Sequence, residues 1–122
     1  MDYYYRGRAY YYLGKFQYAI DDFNRTIHLF NKKWKWDMAY SARGEAYAAM
    51  GKYKQAITDS DQAIRLKQGS AAAYKSRGRI YFKQGNNKFG CRDAQKACDL
   101  GDCELLETGK SQGRCRLLRE DL

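Results

Sequence analysis

The 122-residue chain contains no proline and a single histidine, His28. With no proline and eleven glycines, tight turns fall to glycine, a pattern of helices joined by left-handed glycine corners. An all-β domain is thereby excluded. Long apolar runs are missing too: nothing approaches the ~18 consecutive apolar residues of a membrane span, and no charged-then-apolar leader precedes the first helical pattern. Acidic residues are the minority, 14 Asp and Glu against 23 Lys and Arg. The resulting charge of +9 points to acidic peptides, anionic surfaces or nucleic acid as partners. Apolar residues, at 44%, suffice for a core and exclude a disordered chain, and twelve are tyrosine if all are counted. At roughly 100–200 residues per domain, the length fits one domain.

A repeat organises the chain. The segment Tyr40-Ser-Ala-Arg-Gly-Glu-Ala-Tyr47 returns as Tyr74-Lys-Ser-Arg-Gly-Arg-Ile-Tyr81 and stands earlier as Tyr3-Tyr-Tyr-Arg-Gly-Arg-Ala-Tyr10. Gly44 and Gly78 are 34 residues apart, and Gly7 and Gly44 are 37 apart, the same period with a three-residue insertion. A second glycine follows seven residues on in each copy: Gly14, Gly51 and Gly85. The second halves align as well, Ala19-Ile20 with Ala56-Ile57 and Gly90-Cys91. Each copy reads as two helices, because Tyr40, Gly44 and Tyr47 recur at helical spacing, as do Ala56, Ile57, Ser60, Ala63 and Ile64. Six helices are expected, near 2–13, 16–30, 38–50, 53–67, 71–84 and 88–99, with a short capping segment after them. The early glycine costs ~1 kcal/mol inside a helix. Its threefold recurrence implies close approach of the two helices of a hairpin, where a Cβ would clash.

These residues resemble the tetratricopeptide repeat (TPR) family. Tyr3, Gly7, Tyr10, Gly14, Phe16, Ala19 and Phe23 match its pattern in the first copy. Tyr40, Gly44, Tyr47, Gly51, Tyr53, Ala56 and Ala63 match in the second, and Tyr74, Gly78, Tyr81, Gly85 and Ala97 in the third. Arg6, Arg43 and Arg77 replace the family's leucine, and in the third copy Gly90 and Asn87 replace an alanine and an aromatic, which predicts a less regular hairpin. The resemblance, of bacterial type with a cysteine-containing cap, implies an all-α, right-handed solenoid of three helical hairpins plus a C-terminal capping helix. The expected units are 1–36 with an extended linker, 37–70, 71–100 and a cap over 101–122.

The resemblance further implies a concave groove lined by the first helix of each unit. The residues expected to carry partner binding are Tyr4, Tyr5, Arg8, Tyr12, Glu45, Lys75, Arg79 and Phe82, with Tyr11, Met38, Ser41, Ala42, Ala49, Ser76 and Lys83 also facing the groove. That groove suits a peptide with acidic residues, held by tyrosine contacts and Arg/Lys pairing. The clamp with which some members of the family hold the carboxylates of chaperone tails falls on Tyr4, Arg8, Ala42, Ala72 and Ser76, none of which matches it. The fold implies no cofactor, no metal and no small-molecule substrate.

The insertion from His28 to Asp37 carries Trp34 and Trp36 among lysines. It reads as an extra turn tucking a tryptophan against the hairpin, or as a stacking-and-charge contact for peptide, membrane surface or nucleic acid. Four cysteines cluster late, at 91, 98, 103 and 115. Cys91 and Cys98 share a helix seven residues apart, ~10 Å, too far to bond each other. Pairing Cys98 with Cys103 and Cys91 with Cys115 would staple a capping helix and imply an oxidising compartment such as a periplasm. Reduced thiols in a cytosolic core are the alternative, and a four-thiolate zinc site, lacking a Cys-x-x-Cys pair, is a third. Catalysis finds little support: there is no Ser/His/Asp or Cys/His set within plausible reach and no phosphate-cradling glycine loop. Asp22, Asp59 and Asp93 recur in the second helices and read as outer-face charges balancing Arg and Lys. The function expected is a non-catalytic interaction scaffold. Nucleic-acid or anionic-surface binding, and self-assembly through exposed repeat ends, are the alternatives.

Overall fold

The computed structural model describes residues 2–29 and 36–115. Among them run seven helices: α1 Tyr3–Tyr12, α2 Phe16–His28, α3 Trp36–Ala49, α4 Tyr53–Leu66, α5 Ala71–Gln84, α6 Asn87–Asp99 and α7 Glu104–Ser111. Consecutive pairs form three hairpins that stack α2 on α3 and α4 on α5, and α7 closes the last hairpin against α6. The molecule is an all-α solenoid. Side-chain oxygens start several helices: Asp2 accepts from the Tyr4 and Tyr5 amides, Ser70 from Ala73 and Asn86 from Phe89.

Each hairpin corner is built the same way. Gly14, Gly51 and Gly85 have φ of 78°, 78° and 85°, a region closed to side-chain-bearing residues at little cost. The next amide then reaches back 2.8 Å to a tyrosine carbonyl: Lys15 to Tyr10, Lys52 to Tyr47 and Asn86 to Tyr81. The helix glycines are less uniform than the repeat suggests. A Cβ on Gly44 would lie 2.9 Å from the Ala56 carbonyl oxygen, which is close backbone approach within the hairpin. On Gly7 it would instead meet the Phe23 ring at 2.7 Å, and on Gly78 the Leu105 side chain of α7 at 2.8 Å.

The arginines that replace the family's leucine form a ladder. Arg6, Arg43 and Arg77 each donate two hydrogen bonds, from Nε and Nη2, to an aspartate sixteen residues on: Asp22, Asp59 and Asp93. All six distances fall between 2.7 and 2.9 Å. Two of these arginines also tie a hairpin to the one before, Arg43 Nη1 to Asn24 Oδ1 at 2.7 Å and Arg77 Nη1 to Asp61 Oδ1 at 2.9 Å. Tyrosines flank each guanidinium, with Arg43 5.2 Å from the Tyr40 ring centroid and 5.9 Å from that of Tyr47. The aspartates are buried, not on an outer face as the sequence reading had it, since Asp22 is 0% and Asp59 and Asp93 5% exposed. A buried carboxylate is tolerable only with such bidentate partners. The Arg6 hydrogen bonds accordingly hold the Asp22 carboxyl below the usual carboxylate range.

Three apolar clusters follow the hairpins. Phe23 anchors the first with Tyr4, Ala19 and Ala39; Ile80 the second with Ala48 and Ala56. The third joins Cys91, Ala94, Leu105, Leu106 and Cys115, with Phe82 and Cys98 against it. Disulfides link Cys91 to Cys115 and Cys98 to Cys103. The third hairpin is as complete as the others, with α6 as long as α2. Gly90 is no defect there, because the Phe82 ring fills the space its Cβ would need, at 2.6 Å. Helix limits also shift from expectation. The second tryptophan of the insertion, half-buried Trp36, is already the first residue of α3, whereas Trp34 lies outside the described residues.

Candidate functional site

The first helix of each hairpin contributes one charged residue directly after its glycine: Arg8 from α1, Glu45 from α3 and Arg79 from α5. Stacking places the three around one cavity of about 350 Å³, which Tyr11, Tyr12, Ala42 and Lys83 also line. Phe23 of α2 closes its floor, a residue the family's groove positions would not have included. Glu45 sits at the centre. Ser76 Oγ donates to its Oε2 at 3.0 Å, and Arg79 Nη1 lies 3.7 Å from its Oε1. Burial pushes the Glu45 carboxyl above its ordinary value, against the pull of Arg79 and Ser76. The Tyr11 hydroxyl is pushed up as well, first by burial and then by the Glu45 charge.

At the α1 end the aromatic residues divide. Tyr12 and Tyr5 are 73% and 56% exposed, and the Arg8 guanidinium lies 5.9 Å from the Tyr12 ring centroid. Arg8 Nη2 also donates to the Tyr12 hydroxyl at 3.5 Å. No carboxylate pairs with Arg8 among the described residues. Tyr4, expected in the groove, is instead core: it packs on Ala19, Phe23 and Ala39 and is 7% exposed. Three consecutive tyrosines on a helix point in three directions, and the middle one meets the second hairpin.

At the other end the cap claims two expected groove residues. Lys75 Nζ is 2.6 Å from Glu104 and 3.2 Å from Asp102, so its charge is spent on the start of α7. Phe82 packs with the third cluster beneath α7. Arg79 is shared, with Nη2 3.9 Å from Glu104. The structure thus brings Arg8, Tyr12, Glu45 and Arg79 together, sets Tyr5 near the α1 end, and withdraws Tyr4, Lys75 and Phe82. Lys83, outside the main set, lines the cavity and has no ion pair among the described residues. No group of three or more His, Cys, Asp or Glu among the described residues could hold a metal ion. None of the described helices is long and apolar enough to cross a membrane.

Comparison with known proteins follows the same lines. The TPR repeat family matches residues 39–85. No curated protein matches the sequence. Among solved structures, the first TPR domain of human RPAP3 superposes with a TM-score of 0.79 at 20% identity, over 97% of this chain and 91% of that one. The first TPR of Spaghetti (RPAP3), bound to the HSP90 peptide SRMEEVD, gives 0.76 at 20% identity over 96% and 90%. The second TPR domain of human RPAP3, in complex with the HSP70 peptide SGPTIEEVD, gives 0.73 at 25% identity over 91% of each chain. This chain therefore carries the tetratricopeptide repeat over residues 39–85, and its hairpins take the fold of TPR domains.

Proposed function

We propose that the chain is a non-catalytic protein–protein interaction scaffold that takes an extended, acidic peptide segment in its concave groove. The observation that carries this reading is the imbalance of charge there. Arg8, Arg79 and Lys83 surround one cavity whose single carboxylate among the described residues, Glu45, is already engaged by Ser76 and Arg79. A ligand carboxylate would supply the charge that Arg8 and Lys83 lack, and exposed Tyr12 offers apolar area with a polar tip. The peptides bound by the two neighbouring domains, SRMEEVD and SGPTIEEVD, are acidic at their ends. The clamp positions differ here, with Tyr4 in the core and Ser76 bonded to Glu45, so a different set of cations would read the acid.

Fluorescence anisotropy with a labelled Glu/Leu decapeptide tests it, against the same peptide with Lys for Glu. The acidic peptide is expected to bind and to weaken as salt is raised. Replacing both Arg8 and Lys83 by alanine is expected to weaken it about tenfold or more with an unchanged helical circular-dichroism spectrum. Equal binding of the acidic and basic peptides would refute the reading. A labelled oligonucleotide binding more tightly than the acidic peptide would transfer the surface to nucleic acid.

A further inference from the structure

A second cavity, of about 220 Å³, lies between α5 and α7. Phe82 and Leu105 form its apolar walls, and Gly109 lines it between them. The Phe82 ring is fixed from several sides. A Cβ on Gly90 would meet it at 2.6 Å, so Gly90 makes room for the ring, while Gly109 makes room for the Cys115 sulfur that packs beside it. The Arg114 guanidinium carbon stands 5.4 Å from its centroid, and Arg114 Nη1 donates to Asn87 Oδ1 at 3.1 Å. The neighbouring Cys115 is bonded to Cys91, which holds this corner to α6. The wall is thus built and not a gap left by loose packing.

Two features indicate what would enter. The mouth is rimmed by exposed Thr108, by Arg114 and by Arg79 and Lys83, the same two cations that border the concave cavity. The ridge between the cavities is therefore cationic. Arg79 meets Glu45 and Glu104 only at 3.7 and 3.9 Å, and Lys83 has no ion pair among the described residues. Charge complementarity asks for carboxylates over that ridge, and the apolar walls ask for a hydrocarbon side chain beside them. The volume admits one side chain of leucine or phenylalanine size.

We infer that this α5–α7 pocket is a subsite for one apolar side chain of a bound peptide whose neighbouring residues are acidic. The inference rests on the groove reading above. It makes the capping helix part of the binding surface and not merely an end-plate for the solenoid.

The test uses two labelled peptides, Glu-Glu-Leu-Glu-Glu and Glu-Glu-Ser-Glu-Glu, titrated into the oxidised full chain. The leucine peptide is expected to bind about tenfold more tightly, the low end for a side chain only partly enclosed. Thr108→Trp, which fills the mouth from an exposed position, is expected to erase that preference and leave the affinity for the serine peptide unchanged. Thr108→Ser should keep the preference. Equal affinity for the two peptides, or a preference that survives Thr108→Trp, overturns the subsite while leaving the groove reading intact. Failure of both peptides to bind sinks the groove reading, and this inference with it. A synthetic peptide of residues 116–122 that displaces the leucine peptide better than unlabelled leucine peptide would assign the pocket to the chain itself and overturn the inference. Concentration-dependent dimerisation abolished by Thr108→Trp would do the same in favour of a second copy.

Discussion

The residues one position before each hairpin glycine, Arg6, Arg43 and Arg77, behave alike, whereas those one position after it, Arg8, Glu45 and Arg79, do not. The first set is identical in all three units, and each member is bidentate to a buried aspartate. The second set faces the concave cavity, alternates in sign and is only partly satisfied. The difference separates two duties. Every hairpin must be joined to itself and its neighbour in the same way, so the residues that do this repeat. A ligand breaks the symmetry of the stack, so the residues that would face it need not repeat.

The largest test breaks the ladder. Asp59→Ala leaves the Arg43 guanidinium, 19% exposed, without its carboxylate. Urea unfolding should show a loss of about 3–5 kcal/mol, as for a broken buried ion pair. Arg8→Ala at the groove should stay within about 0.5 kcal/mol. Comparable losses in the two variants would erase the distinction between the two faces.

The next test concerns the cap. Separating Cys91 from Cys115 opens a loop spanning 24 residues, and the chain-entropy account assigns such a loop about 3 kcal/mol. Thermal unfolding of the wild type against a Cys91→Ser, Cys115→Ser variant, which keeps the Cys98–Cys103 bond, measures this, and the two midpoints should differ by several degrees. Coincident midpoints would show that α7 is held by its apolar packing and its Lys75 ion pairs without help from the disulfide.

A smaller effect sharpens the groove side. Glu104 lies near Arg79 and Lys75, so it competes with any ligand carboxylate for the Arg79 charge. Glu104→Gln should raise the affinity for an acidic peptide by about two- to fivefold, the scale of an exposed ion pair. Unchanged affinity would place the ligand away from Arg79.

The smallest expected effect sets the two faces against each other in pH. Asp22, held below its ordinary pKa by Arg6, contributes stability above the unfolded carboxylate value, and this is lost as pH falls through its folded value. Glu45, pushed up by burial, contributes stability below the unfolded value that is lost as pH rises through its folded value. Glu45→Gln should therefore gain on the wild type from acid towards neutral pH, seen as diverging urea midpoints. Parallel midpoints would mean that Glu45 is better solvated than its surroundings indicate.

Much of the fold was legible because it depends on near neighbours. The glycine corners at 14, 51 and 85 are local backbone requirements, and the hairpin period can be counted from them. The ladder was legible in principle too, since Arg and Asp stand sixteen residues apart three times over. Charged residues usually lie on outer helical faces, and these aspartates are buried only because each has a bidentate arginine. The candidate site was legible in half. Arg8, Glu45 and Arg79 follow from their register with the glycines, but the fate of Tyr4 does not. Nor does that of Lys75, because α7 has no counterpart in the earlier units from which its reach could be read.

The sequence by itself determined the hairpins, their number and their corners, since these are set by helical period and by the backbone freedom of glycine. The tertiary structure alone decided which charges are satisfied: that Asp59 is answered, that Glu45 is half-answered, and that Lys75 belongs to the cap while Lys83 has no ion pair among the described residues. The reason is physical. Desolvation and ion pairing depend on distances between groups remote along the chain, and those distances exist only once the hairpins have stacked.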